Sequence, residues 1–576
     1  MVADAIHILG IHDGHNCGAT LTRDGAVIAS VCEERLSRVK NEVGYPEKAI
    51  ENVLRIAGID AMDLDEVVYA SLFMHSSEHL VDVGPWYRVG LREQRAQAAD
   101  PGDYKQVIFE RRKRERIAEV HRHLGVSEEK VGFVEHHLAH LTSAYYTAPG
   151  HSDDRPVLGL TCDGAGDGLC ATVTICRGNE FDRIATTSRH ASLGKIYSRA
   201  TYLMGMTPWE HEYKLMGLAP YADSERSERA MQPLSELLTF TPDGLRFAQA
   251  GELSTNYCYE YLRESFERVR FDTIAGATQR FTETMLVDWV RNCIRHTGIS
   301  DIVCGGGVFM NVKANMLIAD LPEVSSMYVM PSGGDESLSI GAALYRYYQY
   351  SGRADRTESA LTDLYLGGAF GVADEAAAIE AARGAIPLHV SQPNDMNMAI
   401  ADLLATGEIV ACCRGRMEWG ARALGNRSIL ASADNYSRVD EINRMIKMRD
   451  FWMPFAPSIR EEAASRYFDD AKGLKPWFMT YAYQANPEHR GDIAAGAHPR
   501  DHTIRPQVVT AQANPDYHAT ISRFEERTGR GGVLNTSFNL HGHPIIHTPS
   551  EALDVLSKSG LKHVAMNAHL VSKAAA

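Results

Sequence analysis

No stretch of this chain stays apolar for the roughly eighteen residues a membrane helix needs, so no membrane partner is expected. The opening MVADAIHILGIHDGHN has no basic segment leading into an apolar one, which argues against a secretory signal and makes the cytoplasm the expected location. Cationic charge is scarce too: 59 Lys and Arg stand against 74 Asp and Glu, a net charge of −15 that would repel a polyanion, and nucleic acid is not an expected partner. The ten cysteines form no C-x-x-C pair, which removes zinc ribbons and dithiol redox motifs and leaves buried thiols of a reducing compartment. Internal repeats and low-complexity tracts are also missing from the text.

What is present is an ordinary soluble composition, 44% hydrophobic and 23% charged, in 576 residues. That length exceeds what one core usually serves, so at least two domains are expected. Apolar segments from Ile6 to Ser30, with Asp24-Gly25 as a hairpin signal, open the chain. Further strands (VLGLTCDGAGDG, TVTI, DIVCGGG, SSMYVM) alternate with helical stretches such as TQRFTETMLVDWVRNCIRHTG, which predicts a mixed α/β domain over 1–352. A polar, weakly patterned stretch, 353–390, reads as a linker, and a second α/β domain follows over 391–576. Near its end Thr548 is expected to cap a helix, with Pro549 in the first turn and Glu551 completing a capping box.

VEHHLAHLTSAYYT packs three histidines into five residues. On a helix His136 and His140 share one face, with Cβ atoms about 5–6 Å apart and able to hold one ion, while His137 points elsewhere. The spacing is that of a zincin helix, but no glutamate lies between the outer histidines, so the general base of a metallopeptidase is missing. Asp163 in LTCDGAGDG and Asp335 in PSGGDESLSIGAA each stand at a glycine-rich turn where a carboxylate can be presented into a cleft. With the histidine pair they make a two-nitrogen, two-oxygen set suited to iron, zinc or manganese. DIVCGGGVFMNVKAN reads as a strand entering Gly305, Gly306 and Gly307 and then a helix containing Asn311, a pattern that lets backbone amides close on phosphate or ribose. In the C-terminal half, Arg422, Arg427, Lys447 and Arg449 supply the donors that phosphate and carboxylate oxygens require, although such charges also suit a solvated helix face.

Long segments carry a family resemblance: GHNCGATL with EERLSRVKN, EHHLAH, DGAGDG, HEYKLMGLAPYA, CGGGVFMNVKAN, PSGGDESLSIGAAL, RGRMEWGARALGNRSIL, IKMRDFWMPFAPSI and LNTSFNLHGHPI. In these the chain resembles the O-carbamoyltransferases of nodulation-factor, cephamycin and tobramycin biosynthesis (the NodU/CmcH family) over nearly its whole length. The resemblance implies an actin-like ATPase domain similar to TsaD followed by a YrdC-like domain. It implies that carbamoyl phosphate and ATP, with Mg, become carbamoyl adenylate in the second domain, and that the first passes the carbamoyl group to a hydroxyl of a small molecule. It further implies Fe(II) or another divalent metal on His136, His140, Asp163 and Asp335, and His15 as proton acceptor, with His12 a competing base. Lys214 with Gly305, Gly306, Gly307 and Asn311 would meet nucleotide. Arg422, Lys447, Arg449, Arg505, Ser537 and Asn539 would meet carbamoyl phosphate. One departure stands out: FWMPFAP has Met453 where several relatives have arginine, and a methionine cannot donate to phosphate. Alternatives are threonylcarbamoylation of tRNA, which the acidic charge opposes, and an ATP-binding protein without turnover. A homodimer is the default assembly.

Overall fold

The computed structural model describes residues 5–77, 102–150, 155–353, 356–384 and 386–574. Among them no helix is long and apolar enough to cross a membrane. The chain divides into two compact units, residues 1–33 with 41–361 and residues 34–40 with 362–576.

The first unit holds two five-stranded sheets. In one, β1 (His7–His12), β2 (Gly18–Arg23) and β3 (Ala26–Cys32) form an antiparallel meander, and β4 (Glu66–Ala70) and β5 (Val131–Val134) add parallel to β1. The expected turn joins β2 to β3, with Asp24 at φ 51° and Gly25 at φ 88°, the left-handed pair that a tight hairpin requires. In the other, β6 (Val157–Gly166), β7 (Leu169–Arg177) and β8 (Glu180–Ser188) repeat the meander. Beyond a small hairpin of β9 (Leu238–Phe240) and β10 (Phe247–Gln249), β11 (Asp301–Gly305) and β12 (Ser326–Val329) add parallel to β6. The orders β3-β2-β1-β4-β5 and β8-β7-β6-β11-β12 are the same plan used twice. This duplication, the actin-like arrangement, is carried by backbone topology and leaves no repeat in the amino-acid text.

Two helices are packed unusually close in this unit. A Cβ on Gly341, in helix Leu338–Ser351, would stand 1.8 Å from the carbonyl oxygen of Ala139, in helix His136–Thr147. Only glycine permits that approach.

The second unit is α/β, as expected for a YrdC-like domain. Its strands β13 (Leu388–Ser391), β14 (Val410–Cys413), β15 (Arg427–Ser432), β16 (Ala456–Arg460), β19 (Gln507–Val509), β20 (Gly532–Ser537), β21 (His563–Ala565) and β22 (Leu570–Lys573) form one mixed sheet, while β17 (Tyr483–Gln484) and β18 (Thr503–Ile504) pair apart. Helices Met396–Ala405 and Pro515–Thr528 cover the sheet through Ile400, Leu404, Ile521 and Phe524, all fully buried.

Three local expectations differ from the structure. The stretch 353–390 contains a helix, Val372–Ala382, whose buried Glu375 accepts bonds from Asn567, Ala568 and His569. Its buried residues are Glu375, Ala378 and Ile379, one of them charged and one small, so the apolar signal in the text is faint. Thr548 does cap helix Pro549–Lys558, but the Glu551 carboxylate reaches past it to the amide of His547, so the capping box is only half made. Residues 34–40 belong to the second unit, where Arg35 donates to the Gly420 carbonyl at 2.6 Å and Arg38 to those of Pro544 and Ile545 at 2.9 and 2.8 Å.

Candidate functional site

β1, β5 and β12 of the first unit end around one cluster. His12 closes β1, His136 opens the helix that follows β5, and Asp335 opens the turn leading from β12 into helix Leu338–Ser351. Asp163 lies on β6, where the register with β7 breaks between Cys162 and Gly166. Ligand atoms of His136, His140, Asp163 and Asp335 all lie within 4.8 Å of one another. His136 Nε2 is 3.5 Å from Asp163 Oδ2 and 3.7 Å from Asp335 Oδ1, and His140 Nε2 is 3.4 Å from Asp335 Oδ1.

The neighbours of these four groups aim them. Ser71 Oγ is 3.2 Å from His136 Nδ1, which turns Nε2 toward the carboxylates. Asp167 accepts from the amide of His136 at 2.8 Å and from those of Leu72 and Phe73. Gly307 N donates to Asp163 Oδ1 at 3.0 Å and leaves Oδ2 for His136. Such outer contacts fix ligand orientation. Asp167, Ser71 and Glu135, whose carboxylate caps the histidine helix at His137 N and Leu138 N, were not singled out by motif reasoning. The second aspartate of DGAGDG was the available signal for Asp167. Gly166 lies so close to the site that a Cβ there would fall 2.1 Å from the His136 ring.

A metal fits this set. His136 Nε2 and both ring nitrogens of His140 are buried without a hydrogen-bond partner, an expensive state that a bound cation relieves. Two imidazoles and two carboxylates are donors for iron, zinc or manganese. The electrostatics agree: burial opposes charge on His136, yet Asp335 and Asp163 raise its pKa from 6.5 to about 9. Burial and Asp335 press upward on Asp163, but His136 and His140 hold it below the usual carboxylate range. Burial likewise opposes charge on Asp335, yet His15 and His136 hold it well below that range. His137, also buried, bonds Thr161 Oγ1 through Nδ1 at 2.8 Å, and burial beside His136 lowers it to about 3. It is a core residue.

Asp335 serves two groups of histidines. Its Oδ1 faces His136 and His140, and its Oδ2 lies 3.4 Å from His15 Nδ1 and 3.7 Å from His12 Nε2. The His12 ring is buried and lowered to about 4, chiefly by desolvation, and its Nε2 is 3.1 Å from the His15 carbonyl. The His15 side chain keeps 26% of its surface exposed, so of the two only His15 is open to a reactant.

The glycine run closes on the candidate metal cluster as well as forming a turn, with Gly305 against His140 and Gly306 (φ 99°) against Cys162. Asn311 caps helix Val312–Ala319 from outside it, a correction to its expected place within the helix, and exchanges two amide bonds of 2.9 Å with Gln279. Lys214 is half-buried on helix Glu212–Leu218.

In the second unit Lys447 is buried, donating to Ser537 Oγ at 3.0 Å and Asn539 Oδ1 at 2.6 Å. Burial, with Arg449 and Lys40 nearby, pushes its pKa well below 10.5, and no carboxylate among the described residues offsets the cations. Asn535, two residues before Ser537 on β20, donates to the Ala423 carbonyl at 3.0 Å and to Gln507 Oε1 at 3.1 Å, which draws the segments bearing Arg422 and Arg505 to the same strand. The Nε atom of each arginine is buried. Arg449 lies over the Phe455 ring at 5.0 Å, and Met453 is buried. Arg427 differs: its guanidinium is buried among the carbonyls of Arg414, Asn426 and His547, a structural role.

Residues 7–344 match the family model described as carbamoyltransferase N-terminus, and residues 401–573 match carbamoyltransferase C-terminus. The chain belongs to the carbamoyltransferase family. It is 30% identical to nodulation protein NolNO of Sinorhizobium fredii over 98% of this chain and 79% of that protein. It is 29% identical to the 3'-hydroxymethylcephem-O-carbamoyltransferase of Streptomyces clavuligerus over 59% of this chain and 60% of that enzyme. Full-length HypF in its phosphate- and nucleotide-bound form is similar at 15% identity over 62% of this chain and 57% of that one, with a TM-score of 0.31. The protein is thus an enzyme of carbamoyl transfer.

Proposed function

We propose that this carbamoyltransferase is ATP-dependent and transfers to oxygen: it makes carbamoyl adenylate in the second unit and delivers the carbamoyl group to a small-molecule hydroxyl in the first. The observation that carries the reading is Asp335, which faces the His136–His140 pair with one oxygen and His15 with the other.

Chemical balance orders the steps. Carbamoyl phosphate gives up its phosphate to water, the freed carbamate oxygen attacks the α-phosphorus of ATP, and pyrophosphate leaves. Lys447, with Arg422, Arg449 and Arg505, would hold the anionic groups, and Ser537 and Asn539 would fix the ammonium through the bonds described above. The acceptor oxygen then attacks the carbamoyl carbon, the bond to the adenylate oxygen breaks, AMP departs, and the hydroxyl proton passes to His15 Nε2. Asp335 Oδ2 orients that ring through Nδ1 and stabilises its protonated form. His136, His140, Asp163 and Asp335 would hold a divalent metal, iron by resemblance, whose Lewis acidity polarises the transferred group. Gly305 to Gly307, Asn311 and Lys214 would meet the nucleotide with backbone amides, a side-chain amide and an ammonium. Keeping the labile adenylate within one protein protects it from water.

Carbamoyl-phosphate-dependent exchange of labelled pyrophosphate into ATP tests the first half. Folded, metal-loaded protein that shows no exchange would refute adenylation. Asp335→Ala should keep the exchange and lose transfer; retained transfer would refute the assignment of the first unit.

A further inference from the structure

One aromatic residue outside the motifs lies directly on the proposed base. The ring of Trp209 stacks on His15 with centroids 4.9 Å apart and planes 17° from parallel, an offset face-to-face contact. Trp209 is brought there by a turn with unusual backbone. Its φ of 66° lies in the left-handed region, which a bulky L-residue rarely adopts. Local bonds hold that conformation: Trp209 N donates to Glu212 Oε1 at 2.8 Å, His211 N to the Thr207 carbonyl at 2.9 Å, and Thr207 N to His211 Nδ1 at 3.1 Å. Glu212 and His211 are therefore committed to shaping this turn.

The His15 ring needs such support. It stands on the loop after β1, a quarter exposed, and meets a charged partner through one ring atom, Nδ1 on Asp335 at 3.4 Å. A contact at one atom leaves the ring free to swing, because the terminal torsion of histidine has a broad profile. A flat surface parallel to the ring removes that freedom and leaves the ring edge uncovered, where Nε2 makes no hydrogen bond to the described residues. We propose that Trp209 is a positioning residue for the transfer step: its indole holds the His15 imidazole in the plane where Nδ1 meets Asp335 and Nε2 meets the acceptor hydroxyl. The proposal rests on His15 being the proton acceptor.

The test uses the full-length, metal-loaded enzyme with ATP and carbamoyl phosphate, glycerol as the hydroxyl probe, and AMP release beyond that with water alone as the readout. Trp209→Ala should lower kcat by about 10–100-fold, the scale expected when a catalytic group is displaced by up to about 1 Å. The glycerol KM should move less than about threefold, and pyrophosphate exchange should be unchanged. Trp209→Phe, which keeps a flat ring, should restore most of the rate and guards against a folding defect in the alanine variant. In a His15→Ala background, Trp209→Ala should have no further effect, because the indole acts through the imidazole. An added loss in that background, a raised KM with unchanged kcat, or a phenylalanine variant as slow as the alanine one would each overturn the proposal. His15→Ala at the full wild-type rate would instead refute the base assignment itself, and a slow His15→Ala beside a fully active Trp209→Ala would refute only the role of Trp209.

Discussion

His15 Nδ1 lies 3.4 Å from Asp335 Oδ2, while Oδ1 of the same carboxylate faces the ring nitrogens of His136 and His140. One side chain therefore joins the candidate metal cluster to the candidate proton acceptor. A change at Asp335 should disturb both, whereas a change at His15 should leave the metal cluster intact. That asymmetry separates the two roles.

Asp335→Asn keeps the shape but removes the charge. The variant should bind its divalent metal at least about 10–100-fold more weakly, the range seen when even outer-shell partners of metal ligands are lost. His15→Ala should retain metal. Metal content by elemental analysis after gel filtration checks both, and equal retention in the two variants would contradict the placement of Asp335.

Gly166→Ala would place a Cβ 2.1 Å from the His136 ring. Because the ring is buried, it has to shift, and overpacking of this kind costs about 1–3 kcal/mol. The variant should show a lowered urea midpoint and weakened metal binding together. Gly164→Ala, where open space surrounds the added carbon, is the control and should be near neutral.

Lys447→Met should raise the KM for carbamoyl phosphate by roughly 10–100-fold, because charge-assisted hydrogen bonds contribute about 1.5–3 kcal/mol. Stability should change little, because removing an uncompensated buried cation offsets the loss of its bonds to Ser537 and Asn539. Steady-state exchange kinetics with a melting curve read both outcomes. An unchanged KM would remove Lys447 from the anion site.

Acid should destabilise the metal-free protein through His137. Its pKa is lowered from 6.5 to about 3 in the fold, so on acidification below 6.5 the unfolded chain takes up a proton that the folded protein refuses. The stabilising contribution is complete above pH 6.5 and is lost progressively toward pH 3, by up to about 1.4 kcal/mol per pH unit. His136 runs the other way: raised to about 9, it contributes fully below pH 6.5 and loses that contribution as pH rises through 9. Urea midpoints from pH 6.5 downward should fall less steeply in His137→Gln than in the parent. Parallel slopes would show that His137 is not the group involved.

The local features were legible from the text because short-range rules decide them. Four-residue spacing puts His136 and His140 on one helix face, Asp24-Gly25 can make only a tight turn, and Thr548 is suited to cap the helix after it. Apolar patterning also revealed the α/β class of both units. Tertiary structure alone decided which distant groups meet. Asp163 and Asp335 reach the histidines because β6 and the turn after β12 converge on one helix, through an approach that glycine at 341 permits. The repeated sheet plan is invisible in sequence, since many apolar strings satisfy one strand order. Arg427 and Arg422 read alike as candidate donors to an anion, yet the Arg427 guanidinium is buried among carbonyls. Trp209 was only one of six tryptophans until the fold laid it on His15. Spacing along a chain sets which side chains share a face; which faces share a site depends on long-range packing that no local pattern encodes.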